Sequence, residues 1–316
     1  MGCAIGDVLG IAFESGRTRL PSSSWPATTY PLPSPRWTDD TQQSLVLADE
    51  VLRFGVLDPR RVMQRFVAMR DDPGSAAVGP RGFGLHRGTG QGFRHAVDEF
   101  ARTGKFAPMP GRCGNGAAMR VTAVAVALGD SDASRAQLDA ASRATHDEET
   151  SLHAAAAIAL AAWALARGRR GDEVIDDVVD RLDVGAVQTT LRDARRANNP
   201  LAVIVAAGQH ATGGRLRGGA GDGHALCSPL SALFLAVRAP SLHEALRQAV
   251  LLGGDTDSTA AIAGALRASI DGIDDLPPAL RDFPGAVQLR RWGDPIMPTL
   301  DEWLALERSL TPHHRA

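Results

Sequence analysis

The chain has 316 residues, 44% of them hydrophobic, which is enough apolar material for a substantial core in one large domain or two small ones. A formal net charge of −2 gives no global field to draw the protein onto nucleic acid or an anionic membrane, and neither partner is expected. Lys105 is the only lysine, so arginine carries nearly all the positive charge; with so much Ala and Gly, this reads as a coding bias rather than a binding patch. Cys3, Cys113 and Cys227 lie far apart, with neither CxxC spacing nor an even count. That suits a reducing compartment and excludes a disulfide scaffold. With no charged-then-apolar leader and no long uninterrupted apolar run, the expected location is the cytoplasm. Met1-Gly2 does not extend to a myristoylation signal, because Gly6 stands where Ser or Thr is required.

In chain order, residues 21–35 are Pro- and Ser-rich and too irregular for a helix. A helical run follows over residues 42–54. Asp58-Pro59 then supplies a capping residue and a first-position proline ahead of Val62, Met63, Phe66 and Met69 at helical spacing. Residues 79–92, including Gly88-Thr89-Gly90-Gln91-Gly92, read as a Gly-rich loop, and a Gly-rich turn leads into a helix over 117–128. Residues 150–167 are apolar on nearly every face, the pattern of a helix at the centre of a bundle, with Gly168 placed to end it. Ser241 and Glu244 form a capping box, and a last strong helical run covers 260–270. Alternating strand patterns are scarce and no internal repeat is present, so the expectation is one all-α domain over residues 1–316 with two long functional loops.

Two short segments concentrate the chemistry. Trp37-Thr38-Asp39-Asp40-Thr41 precedes the run 42–54, and Gly253-Gly254-Asp255-Thr256-Asp257-Ser258-Thr259 precedes the run 260–270. The plain interpretation is capping, since Asp, Ser and Thr are preferred N-caps and Asp40 with Gln43 resembles a capping box. A cap uses one side chain per helix, however, and each segment carries two carboxylates with flanking hydroxyls. Crowded carboxylates raise one another's pKa unless a cation sits between them. A hard divalent ion such as Mg²⁺ or Mn²⁺ suits an all-oxygen ligand set, whereas no His or Cys pair has zinc-ligand spacing. Gly253 and Gly254 suit a loop needing unusual backbone angles or close approach.

These segments, with Gly114-Asn115-Gly116-Ala117-Ala118-Met119-Arg120 and an opening pattern of Gly6-Asp7, Gly10 and Glu14, resemble the signatures of the ADP-ribosylglycohydrolase family, in the family's usual order and over most of the chain. The resemblance implies a compact orthogonal helical bundle with a binuclear Mg²⁺ or Mn²⁺ site at helix N-termini. Its ligands would be Thr38, Asp39 and Asp40 on one side and Asp255, Asp257 and Ser258 on the other, with Thr256 a loop hydrogen-bonder. Glu14 matches the glutamate near the reacting sugar, and Asp255 would serve both as ligand and as second proton acceptor. Gly114, Asn115 and Gly116 match a strip that cradles phosphates and the distal ribose; Cys113 adjoins it, and His146 matches a position near the adenosine end. The implied reaction is metal-dependent cleavage of the glycosidic bond between ADP-ribose and a modified side chain, releasing ADP-ribose. Ser258, where many relatives have Thr, favours arginine over serine as that side chain. The alternatives are cleavage of a small ADP-ribosyl conjugate and ADP-ribose binding without cleavage. A monomer is expected. The opening pattern begins almost at Met1, where relatives usually carry a helical lead-in, so an upstream start or a shortened first helix is expected, with Asp7 less rigidly held.

Overall fold

The computed structural model describes residues 1–14, 37–72, 83–274 and 276–281. The readings over residues 21–35 and 79–82 lie outside the described residues. Helix follows helix: α1 (Gly2–Gly10), α2 (Asp39–Phe54), α3 (Pro59–Arg70), α4 (Gln91–Thr103) and α5 (Thr122–Leu128). The chain continues through α6 (Asp132–Arg143), α7 (Glu149–Ala166), α8 (Asp172–Arg181) and α9 (Ala186–Arg196). It then runs through α10 (Pro200–Ala211), α11 (Ser228–Arg238), α12 (Leu242–Leu251) and α13 (Thr256–Asp271). Among the described residues there is no β-strand, only isolated bridges such as the one between Gly114 and His224. The fold is all-α, as the sequence pattern requires.

Local signals account for most helix starts. The Asp58 side chain accepts from Arg60 N at 2.8 Å, Pro59 takes the first position, and Val62, Met63, Phe66 and Met69 form the buried face of α3. Ser241 caps α12 by accepting from Glu244 N at 3.2 Å. Helix α7 is buried on nearly all faces, and Gly168 follows its end with φ 87°. With 18 residues and a mean hydropathy of 1.3, α7 is long and apolar enough to cross a membrane, yet 72% of it is buried inside the fold, the pattern of a core helix.

Several boundaries differ from the sequence pattern. Helices α2 and α13 start at Asp39 and Thr256 rather than at 42 and 260, so Asp39, Asp40 and Asp257 sit in first turns, where free N–H groups and the helix dipole favour negative charge. The helix expected over 117–128 is split into a 3-10 turn, Ala118–Arg120, and α5. There the Asn115 carbonyl accepts from both Ala118 N (2.8 Å) and Met119 N (3.1 Å), a shared acceptor typical of a tightened turn. Finally, Gln91 and Gly92 belong to α4, with Gly90 as its N-cap, and are not loop.

The contact that positions everything else is α1 against α13. Gly2, Gly6 and Gly10 recur every fourth residue along one face of α1. A Cβ on them would lie 2.2 Å from Gly264 O, 2.0 Å from Ala260 O and 2.3 Å from Thr256 O. The missing side chains let the two backbones touch, and α11 and α12 pack on α13 as well. Gly6→Ala must therefore push the helices apart, and about 3 kcal/mol of destabilisation is expected, the upper end of ordinary overpacking costs. Gly92→Ala is the contrast: its Cβ would find ordinary contact with Arg112 at 3.7 Å, so helix propensity should stabilise the protein by roughly 0.5–1 kcal/mol. Denaturant unfolding of the two variants checks both signs.

Candidate active site

Asp7 is fully buried and aims its carboxylate at the start of α2. It accepts from Thr38 N (2.9 Å) and Thr38 Oγ1 (2.9 Å). It also accepts from Thr41 N (3.0 Å) and Thr41 Oγ1 (2.7 Å). These bonds occupy N–H groups that no helical carbonyl can reach and fasten α2 to α1. Burial nonetheless pushes the Asp7 carboxyl up to about 6, against the lowering effect of its hydroxyl and amide donors. Despite lying so near the start of the chain, Asp7 is firmly held.

The two acidic segments meet at this junction. Ser258 Oγ lies 3.3 Å from Asp40 Oδ2, joining residues 218 positions apart in the chain. The Thr38 hydroxyl sits between Asp7 Oδ1 (2.9 Å) and Asp40 Oδ2 (3.2 Å) and donates to one at a time. Capping does not account for the carboxylates. Thr38 is the N-cap of α2, accepting from Asp40 N at 3.4 Å, and Asp255, the N-cap residue of α13, makes no side-chain capping bond. Thr256 donates to Gly10 O at 2.7 Å and so bonds away from the cluster.

A cleft of about 620 Å³ opens over the cluster, within the range of small-molecule and cofactor sites. Glu14, Asp39, Asp40, Asp255, Asp257 and Ser258 line one part of it, and Cys113, Gly114, Asn115, Gly116 and His146 line another. The structure thus brings to one cleft every site residue proposed from sequence except Thr38, which lies buried beneath it. Gly88 also reaches the carboxylates: with φ 82°, a Cβ there would lie 2.8 Å from Asp39 Oδ1. Gly253 and Gly254 have φ 70° and 75°, and a Cβ on Gly254 would fall 2.5 Å from Gly221 O, so the close approach expected of this pair is present.

Asn115 has a more specific position than a phosphate strip alone would suggest. Its Nδ2 donates to Asp255 Oδ2 and Ser228 Oγ, both at 2.9 Å, so the side chain orients the Asp255 carboxylate. His146 is buried against Gly116, its Nδ1 lies 2.8 Å from Thr145 Oγ1, and burial together with the Arg120 charge lowers its pKa to about 3, leaving a neutral ring. Burial raises the Cys113 thiol. His86, by contrast, belongs to the core, with Nε2 2.9 Å from Phe66 O and its pKa lowered by burial to about 4.

The sequence reading missed Asp7 as a positioning residue, although it had noted the Gly6-Asp7 pair. It also missed the wall made by residues 222–224. Asp222 there accepts from Gly218 N at 2.8 Å and His224 N at 3.0 Å, and Gly223 abuts Asp255. An isolated Gly-Asp-Gly-His string carries no signal of its own; the bridge from Gly114 to His224 and the bonds of Asn115 N to Gly223 O (3.0 Å) and Asp255 N to Gly221 O (2.7 Å) bring it to the site.

Electrostatics make this cluster unusual. Burial, then the charges of Asp7, Asp255 and Glu14, raise Asp39 well above the ordinary carboxylate range. Burial, then Asp7, Asp39 and Asp255, do the same to Asp40, and burial, then Asp255, Asp40 and Glu14, to Asp257. Two fully buried oxygens, Asp40 Oδ1 and Asp257 Oδ1, have no hydrogen-bond partner, where buried polar atoms are normally satisfied. Among the described residues no three His, Cys, Asp or Glu side chains close on one point by themselves. The donor set is instead carboxylates interspersed with hydroxyls, hard oxygens of the kind a divalent cation takes.

Comparison with known proteins agrees with this geometry. The ADP-ribosylglycohydrolase family model matches residues 1–307. An uncharacterized protein of Archaeoglobus fulgidus is 26% identical over 280 residues, 84% of each chain. ADP-ribosylarginine hydrolase Tri1 of Pseudomonas putida is 25% identical over 287 residues, covering 88% of this chain and 71% of that one. A solved structure of an ADP-ribosylglycohydrolase-related protein complex superposes with a TM-score of 0.64 at 26% identity, covering 98% of this chain and 94% of the other. The family match over nearly the whole chain, with the likeness to that structure, makes this a glycosyl-bond hydrolase. The chain belongs to the ADP-ribosylglycohydrolase family and acts on ADP-ribosyl linkages, with ADP-ribose as the product.

Because the Asp40 carboxyl is raised in the folded protein, it binds its proton more tightly folded than unfolded. The stability this gives is complete below the ordinary carboxylate value of 3.8 and is lost as pH rises above it. In chelator, Asp40→Asn should therefore melt higher than the wild type above neutrality, with the difference vanishing in acid. Melting curves across pH test this; equal curves throughout would show that Asp40 is not under electrostatic strain.

Proposed function

We propose that the cleft holds two divalent cations, Mg²⁺ or Mn²⁺, and that the enzyme cleaves ADP-ribose from modified arginine side chains. The carrying observation is the pair of buried, partnerless oxygens, Asp40 Oδ1 and Asp257 Oδ1, within a cluster in which Asp39, Asp40 and Asp257 lie above the ordinary carboxylate range. Asp39, Asp40, Asp255, Asp257 and Ser258 would hold the ions, with Thr38 holding Asp40 from beneath. When bound, the ions supply Lewis-acid neutralisation of charge at the ribose end of the cleft.

The protein's own residues divide the remaining work. Cleavage of the glycosidic bond builds positive charge on the sugar as the leaving group departs, so the proton has to be handled beside that bond. Asn115 holds Asp255 Oδ2, and the Asp255 side chain, which lines the cleft, would accept a proton there. Glu14 lines the same cleft and its charge reaches Asp39 and Asp257, a position from which it exchanges the proton at the scissile bond. The neutral His146 and the backbone of Gly114 and Gly116 form the nucleotide wall. Arginine as the linkage is supported by Ser258 and by the name of the Pseudomonas putida relative.

The test is release of free ADP-ribose from matched arginine- and serine-linked peptides in Mg²⁺ or EDTA. Mg²⁺-dependent release from the arginine peptide is expected. Release undiminished by EDTA would overturn the cation site, and release from the serine peptide alone would overturn the linkage. Asp255→Ala should abolish turnover and weaken cation binding. Glu14→Ala should lower kcat by about 10²–10⁴-fold, the usual contribution of general acid–base assistance, while ADP-ribose affinity changes little. A loss of affinity instead would make Glu14 a binding residue.

A further inference from the structure

Arg120 is 1% exposed, rare burial for a residue type that almost always keeps its charge in water. Burial lowers its pKa to about 10, so it remains charged at neutral pH. Its guanidinium carbon lies 5.9 Å from the Phe66 ring centroid, and its two terminal nitrogens reach different partners. Nη1 donates to Gln43 Oε1 at 2.7 Å, and Gln43 Nε2 donates in turn to Asp39 Oδ2 at 3.0 Å. Nη2 donates to Thr145 Oγ1 at 2.6 Å, and that hydroxyl lies 2.8 Å from His146 Nδ1. One buried fork therefore ends on a carboxylate of the acidic floor and on the imidazole of the opposite wall.

We propose that Arg120 is a positioning residue that sets both walls of the cleft, Asp39 through Gln43 and His146 through Thr145. The proposal rests on reading the floor as the cation site and the His146 wall as part of the ADP-ribose site. The amide of Gln43 holds one oxygen of Asp39 and thereby fixes the direction of the other, Oδ1, beside Gly88. The Thr145 hydroxyl fixes the plane of the imidazole, so that its Nε2 lies by Gly116. Neither Gln43 nor Thr145 has to touch a reacting atom for this to matter. A ligand held at the wrong angle binds poorly even when it is present. The fork itself is required, because lysine keeps the charge but is a single point donor without the planar geometry.

The two branches make the assignment separable. Mn²⁺ affinity, measured by calorimetry without nucleotide, and ADP-ribose affinity, measured at Mg²⁺ levels that saturate each variant, are the readouts. Gln43→Met should weaken Mn²⁺ binding by about 10–100-fold, as loss of a ligand's supporting hydrogen bond typically does, and leave ADP-ribose affinity unchanged. Thr145→Val should do the reverse, weakening ADP-ribose several-fold and leaving Mn²⁺ unchanged. Arg120→Lys should weaken both; should that variant fail to fold, the two single-branch variants decide the matter. Wild-type binding of both ligands with neither affinity moved by Gln43→Met or Thr145→Val would overturn the positioning role alone. So would both variants shifting both ligands equally, the mark of a merely structural defect. A wild-type protein that binds neither Mn²⁺ nor ADP-ribose would overturn the functional reading and this role with it.

Discussion

The site depends on Asp7 receiving the first N–H groups and hydroxyls of α2 while its own helix lies backbone to backbone on α13. Each half of that arrangement would be of little use alone. Glycines along α1 fix its height and rotation against α13, and α13 carries Asp257 and Ser258 in its first turn. The Asp7 carboxylate then fixes α2, which carries Asp39 and Asp40 in its own first turn. Two acidic helix starts are thus registered against each other through a third helix. The 3.3 Å approach of Ser258 to Asp40 is the result. A slip of one residue in the α1–α13 contact would rotate α1 by about 100° and carry Asp7 away from α2.

Registering carboxylates so closely has an electrostatic cost that the fold offsets only in part. Helix N-termini help, because Asp39, Asp40 and Asp257 all lie where the backbone dipole is positive. Arg120 supplies a fully buried cation, and its charge acts on Asp39 through Gln43 rather than by a direct ion pair. A direct pair would neutralise the carboxylate outright; an intervening amide instead steadies Asp39 through Oδ2 alone. The remaining imbalance appears as raised carboxyl pKa values and orphaned oxygens. Such strain is weak grounds for stability and good grounds for a site, since nothing about packing alone calls for it.

Much of this was legible in the residues. Periodicity and caps gave α3, α7 and α12, because those signals are local: Asp58 before Pro59, an apolar 18-residue run, and Ser241 with Glu244. The surplus of carboxylates over capping needs marked both halves of the cluster before any contact was known. What was not legible depended on non-local partners. Asp7 within an apolar helix carries no sign of the four donors that reach it from residues 31 and 34 positions away. Arg120 read as the end of a motif, since arginine is ordinarily a surface residue and nothing nearby in sequence announces Gln43 and Thr145 as its acceptors. Gly88 read as loop because its role is defined by the Asp39 oxygen it faces. Helix starts were placed late because acidic first turns resemble caps until the cap itself, Thr38, is seen to be a different residue.

Space at the acidic floor is made by residues that have no side chain. A Cβ on Gly88 would lie 2.8 Å from Asp39 Oδ1, and a Cβ on Gly223 would lie 2.8 Å from Asp255 Oδ2. The two glycines come from different loops and face carboxylates of different clusters, so the equivalence is not inherited from one motif. In each case a backbone without a side chain faces a carboxyl oxygen and contributes no bulk. The same logic operates at Gly116, where a Cβ would come within 3.1 Å of His146 Nε2. Any ligand entering there meets backbone on one side and a charged or imidazole group on the other. Larger side chains at these three positions would fill the cleft from within, which accounts for glycine at 116 and 223, where no left-handed backbone calls for it; at Gly88 the φ of 82° asks for glycine as well.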